Sequence, residues 1–352
     1  MQQRIDSILD AAEQREASDV FLQENEVPRL KINEQISVLD KEPLSLADIT
    51  AFWQACGANV QGDGDMDRDS GFVSRTNTRY RVSLHRTMGR LAAVLRRIKT
   101  NVASLKALGA PEWLLTRWGA REHGLILLTG PTGSGKSTTI ASLLQWVNDN
   151  QVRHIVTIED PVEYQFTNNR SYFTQRQVGR DTRTFATGLR SALREAPDVI
   201  FVGEIRDYET ALTALQASET GHLVVSTLHS ENVGDTMERY LNLFPQEDAK
   251  HGTNLLANQL SGVLCQKLVP SADGGLHLLV EHVENAGAMR DWIARRELQN
   301  IAQYIARGSD PAAVSFLQST LKALQDKIIT EATAMASVSN ESELRRAMRG
   351  IG

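Results

Sequence analysis

The chain has 352 residues, 41% hydrophobic and 23% charged, with a net charge of −5. That length fits two or three domains, and that composition is ordinary for a soluble globular protein. An acidic balance weighs against a nucleic-acid protein, no apolar run reaches the ~18 residues of a membrane span, and two cysteines exclude a four-cysteine zinc site.

The polar opening MQQRIDSILDAAEQREASD lacks the apolar centre of a signal peptide, so a cytoplasmic location is expected. Arg4–Glu16 has Ile5, Ile8, Leu9 and Ala12 at helical spacing, which predicts an amphipathic helix. Strands are expected at Asp19–Leu22, Arg29–Ile32 and Ile36–Leu39, and a second helix over Leu46–Cys56. The stretch Gly62-Asp63-Gly64-Asp65-Met66-Asp67 reads as an acidic loop. Cys56 and Cys265, far apart and without CxxC spacing, read as small core hydrophobes.

Residues 75–99 hold Arg75, Arg79, Arg81, Arg86, Arg90, Arg96, Arg97 and Lys99 and no acid. Tyr80, Val82 and Leu84 alternate as in a strand, and Ala92–Ile98 is a second strand candidate. Three readings of this basic run stay open: a solvated strand pair, a nucleic-acid surface, or arginines aimed at a nucleotide's phosphates. Asn101–Trp118 is a connector with helical character.

After Gly124 the pattern alternates. Apolar strand candidates fall at Leu125–Leu128, His154–Ile158, Val199–Val202 and Leu223–Thr227, with helices at 137–148, 184–195 and 208–218. Such alternation predicts an α/β unit with a mostly parallel sheet covered on both faces. From about residue 232 the chain is expected to be predominantly helical, with Phe316, Leu317, Leu321, Leu324, Ile328 and Ile329 marking amphipathic helices in the tail.

The chemistry begins at Gly130-Pro131-Thr132-Gly133-Ser134-Gly135-Lys136-Ser137, which follows the strand Leu125–Leu128 and precedes a helix. This is the GxxxxGK[ST] phosphate loop in its required context. Glycines let backbone N–H groups curl around phosphate oxygens, Lys136 can reach the β- and γ-phosphates, and Ser137 can offer its hydroxyl to Mg²⁺. Thr138 is the next candidate phosphate contact. The strand Val199–Val202 ends in Gly203-Glu204, so Glu204 can orient the Mg²⁺ shell or a water. Glu159, Asp160 and Glu163 cluster after another strand, and Glu163 is the choice for activating the attacking water. For each of these acids a capping or arginine-pairing role is the alternative. His222 and His229 bracket Leu223–Leu228, and a γ-phosphate sensor or metal-shell partner is expected among them. A ~20 Å strand between them argues against one shared metal.

These boxes, in order, resemble the secretion ATPase superfamily of type II secretion and type IV pili, and within it the pilus retraction ATPases. The resemblance rests on ASDVFL (17–22), RYRVSL (79–84), LRRI (95–98), GPTGSGKSTT (130–139), TIEDPVEY (157–164), LRSALREAPDVIFVGEIRD (189–207) and ETGHLVVSTLH (219–229). It implies an N-terminal PAS-like α+β domain at 1–100, a linker at 101–118, a RecA-like ATPase core at 119–270 and a helical C-terminal region at 271–352. It also implies ATP and Mg²⁺ as ligands and a homohexamer with nucleotide at subunit boundaries. Arg81 and Arg96 match the arginines that approach the phosphates, Glu163 the catalytic glutamate, Glu204 the Walker B acid and His229 the histidine-box residue. Arg194 lies in a stretch the family places near the site.

The implied activity is ATP hydrolysis powering pilus retraction and twitching motility, at the cytoplasmic face of the inner membrane. The implied partners are an inner-membrane pilus platform protein and a paralogous retraction ATPase, with no nucleic acid. Three alternatives remain: an accessory motor dependent on a paralogue, a secretion-system ATPase of the same superfamily, and a nucleic-acid translocase. Two departures stand out. The AIRNLI segment of retraction ATPases corresponds to Ala288-Met289-Arg290-Asp291-Trp292-Ile293, and Ala196 replaces an acid usual in the family. The two-cysteine count argues against the extension and type II secretion branches, which carry a four-cysteine motif.

Overall fold

The computed structural model describes residues 2–32, 35–58 and 67–349. The chain divides into two compact units, Met1–Thr100 and Asn101–Gly352.

The first unit opens with α1 (Gln2–Gln14), then β1 (Asp19–Gln23), β2 (Arg29–Ile32), β3 (Gln35–Val38) and α2 (Leu46–Ala55), followed by β4 (Asp67–Val73), β5 (Arg79–Thr87) and β6 (Arg90–Arg97). The six strands make an antiparallel sheet in the order β3-β2-β1-β6-β5-β4. Its core joins Leu9 of α1 and Trp53 of α2 to Leu22, Leu30, Val82 and Leu95 of the sheet. The period-2 pattern of β5 shows why: Tyr80, Val82 and Leu84 are buried while Arg79, Arg81 and Ser83 face outward. Ser45 starts α2 with a capping box, its hydroxyl accepting from the Asp48 N–H. The acidic residues 62–66 lie outside the described residues. Asp67, expected to end that loop, instead opens β4, an edge strand whose polar sequence DRDSGFV hides it from an apolar-pattern reading.

The second unit continues through α3 (Glu112–Gly119), β7 (Gly124–Thr129), α4 (Lys136–Asn150), β8 (His154–Glu159), β9 (Tyr172–Gln177), α5 (Phe185–Ala192), β10 (Val199–Val202), α6 (Tyr208–Glu219) and β11 (Leu223–Leu228). It ends with α7 (Val233–Leu241), α8 (Ala249–Gln259), β12 (Leu260–Pro270), β13 (Leu276–Glu284), α9 (Met289–Ala294), α10 (Leu298–Arg307), β14 (Ala313–Val314), α11 (Phe316–Gln325), α12 (Glu331–Ser337) and α13 (Glu341–Met348). Eight strands form one sheet, β14-β13-β12-β7-β11-β10-β8-β9, in which β12, β7, β11, β10, β8 and β9 run parallel.

Every residue of β7, β10 and β11 is buried because helices cover both faces. Ile126 and Leu128 point to the α3–α4 side, with Leu115, Ile140, Leu143 and Val147. Leu125 and Leu127 point the other way, toward Leu189, Leu215 and Met237. Beyond 232 helices predominate, as expected, but they are interrupted by strands that the pattern did not predict. Leu260–Glu284 is a long antiparallel hairpin, and β12 extends the core sheet by pairing with β7. Its apolar run LSGVLCQKLV was indistinguishable by pattern from a buried helix segment. The six-residue β9 was missed for the opposite reason, since Thr174, Gln175, Arg176 and Gln177 give it a polar face.

Gly262 of β12 lies against the fully buried Trp118 of α3, and a Cβ there would meet the indole at 2.2 Å. Gly262→Ala is therefore expected to destabilise the second unit by about 1–3 kcal/mol through overpacking, seen as a lowered midpoint in urea unfolding. An unchanged midpoint would show that α3 yields at no cost.

Candidate functional site

Parallel strands bring their carboxyl ends to one edge of the sheet, and the loops leaving that edge form the natural ligand crevice of such folds. Here the loops after β7, β8, β10 and β11 line one cleft of about 590 Å³, within the range of small-molecule sites. Its walls carry Ser134, Lys136, Ser137, Glu159, Glu163, Glu204, Arg206 and His229.

The loop after β7 makes its turn on glycine. Gly130, at φ 142°, sits so close to β12 that a Cβ would lie 2.3 Å from the Gln266 carbonyl oxygen. Gly135, at φ 87°, is left-handed and starts α4. Lys136 then folds back, donating from Nζ to the carbonyls of Gly130 at 2.8 Å and Pro131 at 3.0 Å. It is buried, and desolvation holds its ammonium below the ordinary lysine range despite the opposing pull of Glu204 and Glu163. The N-terminal end of α4 adds unpaired N–H groups and a partial positive charge. Ser134 Oγ is buried with no hydrogen-bond partner among the described residues. A cationic, donor-rich pocket with an orphaned hydroxyl fits a phosphate chain.

The acids face this loop. Ser137 Oγ donates to Glu163 Oε1 at 3.1 Å, and Thr138 Oγ1 lies 3.0 Å from the Tyr164 hydroxyl. Glu204 leaves β10 on a bend fixed by β11: Thr227 donates from Oγ1 to the Gly203 carbonyl at 2.6 Å, and the Ile205 N–H donates to the Thr227 carbonyl at 3.1 Å. Its carboxylate contacts Arg206 Nη2 at 2.7 Å and His229 Nε2 at 3.5 Å. Ser137, Glu163 and Glu204 are hard oxygen donors of the kind Mg²⁺ takes. Asp207 has a separate task, capping α6 by accepting from the Thr210 N–H.

Two residues expected near the nucleotide lie away from this cleft. His222 stands at the amino end of β11, where its carbonyl accepts from Gly124 N–H and its Nδ1 contacts the Ala217 carbonyl at 3.0 Å. Because β11 runs parallel to β7, that is the sheet edge opposite the phosphate loop. Arg194 lies just beyond α5, which starts at the cleft with Phe185 and runs away from it; the side chain is exposed and donates to the Arg190 carbonyl. Neither residue lines the cleft.

Arg81 and Arg96 belong to the first unit. They sit directly opposite each other on β5 and β6, so both point to one face. Like charges at that spacing repel, and each has a carboxylate: Asp69 for Arg81 at 3.2 Å, and the buried Asp19 for Arg96 at 2.7 Å.

Two cleft residues, Arg206 and Glu159, and Gln266 behind the phosphate loop gave no sequence signal strong enough for a role. Arg206, exposed beside Glu204, was visible only as the arginine of the GEIRD run. Gln266 is buried, donating to Thr139 Oγ1 at 2.8 Å with its own amide oxygen unpartnered among the described residues. Its strand was not expected, so neither was its contact. Glu159 is buried, accepting from Thr157 at 2.6 Å and Gln175 at 3.3 Å.

A phosphate loop, a carboxylate pair and a bracketing histidine on the carboxyl edge of a parallel sheet define a nucleotide-site protein of the P-loop class. The chain belongs to the family described as type II/IV secretion system protein, whose profile matches residues 1–289. It is 33% identical to the type IV pilus ATPase PilU of Pseudomonas aeruginosa over 335 residues, 93% of this chain and 87% of that one. The retraction ATPase PilT of the same organism is 35% identical over 295 residues, covering 83% of this chain and 86% of the relative. Among solved structures, the pilus retraction motor PilT with bound ADP superposes with a TM-score of 0.88 at 36% identity, over 97% of this chain and 99% of that one.

Burial pushes the Glu159 carboxyl up to about 7 from 4.5. Between those values the folded state binds more protons than the unfolded one, so stability falls as pH rises and the cost is complete above pH 7. That cost is on the order of 3 kcal/mol for such a shift. Melting temperatures of Glu159→Gln and the parent should therefore diverge in the variant's favour between about pH 5 and pH 8. Parallel curves would place the carboxyl's proton elsewhere.

Proposed function

We propose that this chain is the ATP-hydrolysing motor of type IV pilus retraction. One observation carries the hydrolytic reading: Glu163 reaches the hydroxyl of Ser137, 3.1 Å away, on the same cleft that holds Lys136 and Glu204. The relatives' names support the pilus role.

In this reading Lys136 and the loop amides grip the β- and γ-phosphates. Binding there requires the ammonium to leave the carbonyls of Gly130 and Pro131 for phosphate oxygens, an exchange favoured by charge. Ser137 and Glu204 would hold Mg²⁺, which supplies neutralising charge on the phosphates when bound. Glu163 takes a proton from the attacking water and lies near enough to the phosphate end of the site to orient it. His229 steadies the Glu204 carboxylate. Arg81 and Arg96, carried on the PAS-like domain at 1–100, stabilise charge on the transferring phosphoryl group after giving up Asp69 and Asp19.

The further proposals follow the family resemblance. The core at 119–270 is RecA-like, 101–118 links it to the first domain, and 271–352 is a C-terminal region that begins with β13. Six copies assemble in a ring, and movement of the N-terminal domains upon hydrolysis is the mechanical output. The motor works in the cytoplasm against an inner-membrane platform protein. No helix among the described residues is long and apolar enough to cross a membrane. The match to PilU across 93% of the chain favours a second reading, a motor that works beside a paralogue; turnover by the purified protein alone separates the two.

Glu163→Gln and Glu204→Gln should each lower phosphate release at least ~100-fold while ADP still binds, because each keeps the cleft's shape and removes only the carboxylate. Near-parental turnover in both would end the hydrolytic assignment.

A further inference from the structure

Glu281 of β13 is a half-buried carboxylate outside the nucleotide cleft. Its Oε1 accepts the backbone N–H of Val233 at 2.8 Å, and its Oε2 accepts that of Phe316 at 3.4 Å. These are the first residues of α7 and α11. Each helix begins with unpaired N–H groups and a partial positive charge. The side chain of Asn232 caps α7 through Asp235 N–H, and that of Ser315 caps α11 through Gln318 N–H. Glu281 takes the first donor that each cap leaves. One anion thus closes two helix starts that are about 80 residues apart in sequence.

Helix α7 also contacts two segments that frame the cleft. Arg239 donates from Nη1 to the His229 carbonyl at 2.8 Å, fixing the loop that presents the imidazole to Glu204. Thr236 Oγ1 lies 3.1 Å from Thr129 Oγ1, on the last residue of the strand that feeds the phosphate loop. A shift of α7 along its axis would therefore move His229 and loosen the base of the loop together. Among the described residues, Glu281 is the only side chain that accepts from the first N–H of α7.

We propose that Glu281 is a positioning residue for the nucleotide site: by clamping the start of α7 to the start of α11, it holds His229 against Glu204. The proposal rests on the hydrolytic reading of that pair. It makes the C-terminal helices part of the site's support, although none of them supplies a group to the Glu204 cleft.

The test is steady-state ATP hydrolysis by the full chain in five forms: parent, Glu281→Ala, Glu281→Gln, His229→Ala and the Glu281→Ala/His229→Ala double variant. Loss of an outer supporting group is expected to lower kcat about tenfold in Glu281→Ala with KM within about twofold. Glu281→Gln, which keeps one strong acceptor, should lose about threefold and carries the same test should the alanine form not fold. In the His229→Ala background, Glu281→Ala should change kcat by less than about twofold, because the two residues act through one arrangement. A full tenfold loss persisting in that background, or KM rising in step with falling kcat, overturns the positioning role alone. Parental kcat in His229→Ala overturns the reading of the site and the proposal with it.

Discussion

A lysine ammonium buried among its own loop's carbonyl oxygens is the constraint on which the second unit depends. Lys136 can be buried there only because the loop is tight enough to turn two carbonyls inward, and the loop is that tight because Gly130 can approach β12 where any Cβ would collide. Burying a cation is costly unless it is paired and hydrogen-bonded. Glu163 and Glu204 stand across the cleft and offset part of that cost. The same arrangement gives the site its direction. A phosphate chain would satisfy the ammonium better than two neutral carbonyls do.

The sheet explains why the necessary groups meet. Residues from four loops spread over about 100 positions arrive at one edge because β7, β11, β10 and β8 are parallel and adjacent. Hydrogen bonds between neighbouring strand ends then fix the bends: Thr227 holds Gly203, and Gly203 N–H holds Ile158. The C-terminal layer is tied into this edge through β12 and Glu281 instead of hanging from it. Beside the phosphate loop, Ala332, Thr333, Ala336 and Ser337 of α12 line a second cavity with Thr132, Gly133 and Ser134. Events at the phosphates and events in the last helices therefore share walls.

Much of this was legible in the sequence where local pattern and chemistry agree. The phosphate loop, Glu163, Glu204 and His229 lie on loops that follow uninterrupted apolar strands, and a parallel sheet puts all such loops on one edge. The same rule, applied to direction, places His222 on the opposite edge; bracketing a strand means that only one of the two histidines can face this cleft. Arg194 lies away from this cleft for a related reason, since it follows a helix that runs away from it. The hairpin Leu260–Glu284 was illegible because burial on both faces erases the period-2 signal that marks a strand. With it went Gln266 and Glu281, whose significance comes from partners more than 30 residues away, which no local pattern contains. The basic run of the first unit contains no acid of its own, yet Asp10, Asp69 and Asp19 pair with Arg75, Arg81 and Arg96 across the fold.

The central claim is that nucleotide held by Lys136 powers the shortening of pili. The direct measurement is retraction of fluorescently labelled surface pili in living cells whose only copy of the gene carries Lys136→Ala. The account predicts pili that are present on the surface and do not shorten. Pili that retract as often and as fast as those of the parent would contradict it.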